Sequence, residues 1–180
     1  MKTSATRMKR FSFLAFALFA LAARTAWAQP SNPANWSVLS EGGAVVELAP
    51  DTVSPLPGDQ TTNTLRITIK KIGERFGAVC PEMGNLKLES GDWCDLSFNA
   101  RTDPPKTFAL IVSLESPDGR KVFARTTLPE VGGDQWGRFS VALHVRAPAS
   151  RCRLVIALAD TGTIWLNDVS LVRRDGAGVR

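Results

Sequence analysis

The stretch Cys94-Asp95-Leu96-Ser97-Phe98-Asn99-Ala100-Arg101 decides the fold class. Apolar residues at 94, 96, 98 and 100 alternate with polar ones at 95, 97, 99 and 101. A period of two places the first set on one face of a strand and the second on the other. The pattern spreads outward from there. Leu65, Ile67 and Ile69 alternate with Arg66, Thr68 and Lys70. Phe139, Val141, Leu143 and Val145 alternate with Ser140, Ala142, His144 and Arg146, and a less clean case runs from Phe108 to Glu115. Further runs at 44–48, 121–127, 152–158 and 163–172 bring the expected total to eight or nine strands.

Turn chemistry separates these runs. Pro55-Leu56-Pro57-Gly58-Asp59, Glu89-Ser90-Gly91-Asp92, Asp103-Pro104-Pro105 and Gly132-Gly133-Asp134 supply Gly or Pro where the chain must reverse. Ser116-Pro117-Asp118-Gly119, between two apolar runs, predicts a tight hairpin. No sustained helical period follows residue 28. Many short strands joined by polar turns predict an all-β protein, a β-sandwich or jelly roll.

The 180 residues carry 22 Lys and Arg against 17 Asp and Glu, a formal charge of +5. Residues 1–28 hold Lys2, Arg7, Lys9, Arg10 and Arg24 and no acid, so they carry the whole excess. A nucleic-acid partner is therefore not implied. Met1–Arg10 is a basic region, Phe11–Ala23 is apolar apart from Ser12, and Ala26-Trp27-Ala28 is an A-x-A site. This is the layout of a secretory signal peptide, cleaved after Ala28, and the apolar run is too short for a stable membrane anchor. The expected destination is the periplasm or the outside of the cell. The expected order is a signal peptide at 1–28, a lead-in segment at 29–33, one β-sandwich domain at 34–173 and a tail at 174–180.

Export places Cys80, Cys94 and Cys152 where disulfides persist. Three cysteines allow at most one internal pair, and Cys80 with Cys94, closing the short loop, is the favoured one. Enzyme signatures are missing: no G-x-S-x-G, no Walker loop, no G-x-G-x-x-G and no H-E-x-x-H. A nucleophile would have only His144 as its base, and strand phase puts His144 on the face opposite the core. Glu115, beside Ser113 on a strand, is the acid of most interest.

Two segments carry a resemblance. Gly162-Thr163-Ile164-Trp165-Leu166-Asn167-Asp168-Val169-Ser170-Leu171 resembles the closing strand of carbohydrate-binding modules of the family 4/9/22 type, which are galactose-binding-like jelly rolls. Leu88-Glu89-Ser90-Gly91-Asp92-Trp93-Cys94-Asp95-Leu96-Ser97-Phe98-Asn99-Ala100-Arg101 looks like their central strand. Trp136 and Trp36 match two further recurrent positions. The resemblance implies a non-catalytic module for a polysaccharide or glycan, with aromatic rings on sugar faces and polar groups on hydroxyls. It suggests Phe76, Asn99, Arg101, Glu115 and His144 as ligand-binding residues, gathered on one wet sheet face, with Trp93 at the rim.

The chain departs from the pattern between Phe76 and Cys80, where such modules carry Trp and Gln, and it has no Tyr. Those losses leave a second expectation, an envelope protein-interaction domain; a glycoside-cleaving enzyme is the third. The resemblance also implies a structural calcium with Asp168 as a ligand, although Asn167 replaces the neighbouring acid.

Overall fold

In the computed structural model, which describes Thr25–Ala26 and residues 33–39, 41–52, 56–57, 64–74, 76–81 and 86–174, the deciding stretch lies at the centre of a sheet. Its strand is β6 (Trp93–Asp103), with Cys94, Leu96, Phe98 and Ala100 all fully buried on the inner face. Thr25–Ala26 (β1), Val45–Pro50 (β3), Leu65–Lys71 (β4), Gly137–His144 (β9) and Gly162–Arg174 (β11) join it. The order is β3-β4-β11-β6-β9, and β1 pairs with β11. The second sheet holds β2 (Trp36–Leu39), β5 (Gly77–Pro81), β7 (Thr107–Glu115), β8 (Val122–Gly132) and β10 (Arg153–Leu158). Its order is β2-β5-β10-β7-β8, and the pairings in both sheets are antiparallel. The expected β-sandwich of the jelly-roll type is therefore observed.

The two sheets face each other across one core. Ile67 and Ile69 of β4, Phe98 of β6, Leu110, Val112 and Leu114 of β7, Ile156 of β10 and Ile164 of β11 belong to a single buried cluster. Each such side chain removed from water contributes about 1.5–3 kcal/mol, so this layer is the main force clamping the sheets together. The tight hairpin expected at Ser116–Gly119 joins β7 to β8. There Gly119 N donates to Ser116 O at 2.8 Å, and Gly119 takes φ 71°, a conformation that favours glycine.

β11 contains a bulge. Asn167 lies opposite Asn99, but the next paired residue is Ser170, opposite Ser97, so three steps on β11 match two on β6. Asp168 sits in the extra position with φ 52°. Before it, the inward residues are Ile164 and Leu166; after it, they are Val169 and Leu171. The leader expected at 1–28 and the segment 29–33 lie outside the described residues, apart from Thr25–Ala26 and Pro33, as does the tail beyond Arg174.

Candidate functional site

The outward face of the five-stranded sheet carries a trough. Along β7, Leu110, Val112 and Leu114 point into the core, so Ile111, Ser113 and Glu115 point the other way. In register with them are Val155 opposite Ser113 and Ala157 opposite Ile111 on β10, and Ala78 opposite Ala157 on β5. These small side chains leave a cleft of about 150 Å³. Ala78, Val155 and Ala157 form an apolar cluster separate from the main core, packed by Leu39, Phe76 and Ile111. The floor is thus apolar and flat.

Phe76 supplies an aromatic wall. It stands where the chain turns from β4 into β5, and its N–H donates to Gly73 O at 3.1 Å. Its φ of 61° is left-handed, a conformation that costs a non-glycine residue about 1 kcal/mol or more. The opposite end is polar. Ser113 Oγ donates to Glu115 Oε1 at 2.7 Å, and Arg153 Nη2 lies 3.5 Å from Glu115 Oε2. Glu115 is only 5% exposed, so its charge is compensated inside the protein rather than by water. Arg125 of β8, opposite Ser113 in the register, lines the same cleft from an exposed position, and Glu74 lines it near Phe76.

The structure brings together only part of the expected site. Phe76 and Glu115 share the trough. Trp93, Asn99, Arg101 and His144 lie on the outward face of the six-stranded sheet, on the far side of the sandwich. There Trp93 and His144 are register partners, and Arg101 stacks over Trp165 with its guanidinium carbon 4.1 Å from the ring. The single wet face expected to gather all six residues is therefore two faces. Alternation separates inward from outward positions, but it is silent on which sheet a strand joins.

One other expectation changes. No disulfide joins Cys80 to Cys94. Cys94 points into the core from β6, whereas Cys80 alternates with the core residue Val79 on β5 and points out of the other sheet. A sheet separates the two sulfurs. The Asp168 carboxylate makes an ion pair with Arg138 at 3.4 Å, and Asn167 donates from Nδ2 to Thr64 Oγ1 at 2.9 Å. Among the described residues no three acid, His or Cys side chains gather around Asp168.

No protein-family model matches the sequence, and no curated protein does either. Solved structures are similar to it in fold. One is an arabinose-bound α-L-arabinofuranosidase, at 18% identity and TM-score 0.65, over 82% of this chain and 26% of that enzyme. Another is a family 4 carbohydrate-binding module, at 18% identity and TM-score 0.55, over 79% of this chain and 89% of that one. A third is the family 11 module of a cellulosomal cellulase of Clostridium thermocellum, at 12% identity and TM-score 0.54, over 83% and 94%.

The fold is that of a carbohydrate-binding module. The chain spans about a quarter of the arabinofuranosidase but most of each carbohydrate-binding module's chain. Within this fold, the trough residues that sequence reasoning missed are the small ones. Ala78, Val155 and Ala157 are unremarkable in apolar runs, and only strand register makes them a floor. Arg153 and Arg125 open and interrupt runs read as strands, and a charged residue placed inside such a run was the available signal.

Proposed function

We propose that this module is an exported, non-catalytic protein that binds a glycan in the trough of its five-stranded sheet. The observation that carries the reading is the pairing of a flat apolar floor, Ala78, Val155 and Ala157, with a polar end built from Ser113, Glu115 and Arg153. A sugar ring offers an apolar face to the first and hydroxyls to the second, and Phe76 closes the side. Glu115 acts here as a hydroxyl acceptor, held in place by Ser113 and Arg153. Calorimetry against a panel of neutral polysaccharides is expected to find a binder, weakened about tenfold by Phe76→Ala. Absence of binding to every member at millimolar concentration would remove the proposal. Export is tested separately by N-terminal sequencing of the secreted protein, which should begin at Gln29 and so lack the two-residue β1 that lies within the leader.

A second reading, a protein-binding domain of the envelope, is favoured by one observation: Phe76 is the only aromatic side chain lining the trough among the described residues. Capture of a defined envelope protein that persists with excess glycan and is lost in Phe76→Ala would support it.

A further inference from the structure

A row of side chains crosses the outward face of the six-stranded sheet, opposite the trough. Arg66 of β4 is the register partner of Trp165 on β11, and Trp165 is the register partner of Arg101 on β6. Trp136, just before β9, lies on the other side of Arg101. The Arg101 guanidinium carbon is 4.1 Å from the Trp165 ring centre and 5.7 Å from that of Trp136, so the cation sits between two indoles. Trp165 is itself nearly buried, anchored by an Nε1–H bond to the Asp51 carboxylate.

Apart from Asp51, which holds the Trp165 indole, the carboxylates around this row pair with other cations. Glu47 pairs with Lys70, Asp95 with Arg174 and Asp168 with Arg138. Asp103, two residues beyond Arg101, is exposed and pairs with neither arginine. Among the described residues, neither Arg66 nor Arg101 of this row pairs with a carboxylate. The Arg101 side chain finds no hydrogen-bond partner among the described residues, and its Nε is buried without an acceptor. Asn99, two residues before it on the same face, makes no side-chain hydrogen bond among the described residues either. A buried donor left without an acceptor costs about 1–3 kcal/mol, a cost that a fitted ligand oxygen removes.

We propose that this face is a second site, for an acidic saccharide. A planar carboxylate accepts two parallel bonds from a guanidinium fork, the geometry that Arg101 offers and a single-atom cation does not. The pyranose ring bearing that carboxylate rests on Trp136, its hydroxyls reach Asn99, and Arg66 adds the second positive charge. The site takes a uronate residue, whereas the trough takes a neutral glycan, and the two faces are independent.

The test is titration of the whole protein with oligogalacturonate, followed by tryptophan fluorescence and calorimetry, beside the methyl-esterified oligomer and inorganic phosphate. Oligogalacturonate is expected to bind, to weaken steeply with added salt, and to bind at least about tenfold more tightly than the ester or phosphate. Arg101→Gln should abolish the signal and Arg66→Gln reduce it, both with the wild-type thermal transition retained. Neutral glycans titrated into the same variants report on the trough alone. Equal binding of the ester, equal binding of phosphate, no binding of oligogalacturonate, or binding unchanged in a folded Arg101→Gln would each overturn the proposal. If Arg101→Gln fails to fold, Arg66→Gln and Trp136→Ala decide by the same criteria.

Discussion

Trp93 and His144 face each other across the β6–β9 register and stack, with ring centres 4.7 Å apart and planes 28° from parallel. Trp93 is 42% exposed, and Arg174 reaches over its ring at 5.7 Å. An exposed aromatic pair of this kind contributes about 0.5–1.5 kcal/mol to stability. Trp93→Ala or His144→Ala should therefore lower the urea midpoint modestly. Neither should alter neutral-glycan binding, because the trough lies on the opposite sheet; a tenfold loss of that binding would contradict the assignment.

Glu115 is held by Ser113 and Arg153 in a nearly closed setting. Glu115→Gln removes the charge while keeping the shape, and leaves the Arg153 cation poorly compensated. Breaking a buried pair from one side costs about 3–5 kcal/mol in a fully enclosed site, and less here because Arg153 is 17% exposed. Chemical denaturation should show a loss of about 1–3 kcal/mol. Ser113→Ala, which removes one hydrogen bond, should cost about 1 kcal/mol.

Gly132 ends β8 with φ 105°, and a Cβ there would run into the Thr102 side chain. Thr102 Oγ1 also accepts from Gly133 N at 2.9 Å, tying the β8 end to β6. Gly132→Ala combines backbone strain with a clash, and thermal unfolding should reveal a loss of about 2–4 kcal/mol. Gly91→Ala, also at positive φ but with open space around it, should cost less.

Burial pushes the Cys94 thiol up to about 12, with the Asp92 charge adding to the effect, and burial does the same for Cys152. The unfolded thiols ionise near pH 8.5. Between that pH and about 12 the unfolded chain has given up protons that the folded chain keeps. Stability is therefore unaffected by these groups at neutral pH and falls as pH rises through that window. Denaturation series at pH 7, 9 and 10 should show it. In the native protein at pH 8 both thiols should resist iodoacetamide and react only after denaturant is added.

Most of the architecture was legible because a strand with one wet face writes its burial into every second residue. β6 and β4 follow the alternation almost without exception. β5 did not announce itself. All five of its residues are buried, since Val79 faces the core while Ala78 lies in the trough cluster, so no alternation survives. The site was legible only by parts. Period two assigned Asn99, Glu115 and His144 correctly to outward faces, but their division between two sheets depends on pairings distant in sequence. The floor of the trough was invisible for a related reason. An alanine matters there for the volume it leaves empty, and an empty volume has no signature in a single chain.

The extra residue in β11 has a further consequence. Asp168 acts as a phase switch: Ile164 and Leu166 fall on even positions, Val169 and Leu171 on odd ones, and one displaced residue reconciles the two halves. Deleting Asp168 would therefore leave Val169 and Leu171 facing the core in a plain alternating strand, whereas flattening the bulge with Asp168 kept would turn the rest inside out, sending Ser170 and Val172 toward the core. At this left-handed position Asn or Gly should be tolerated and β-branched residues resisted, and loss of the residue should remove the bulge without changing which side chains face inward. The closing strand is specified by counting as much as by chemistry.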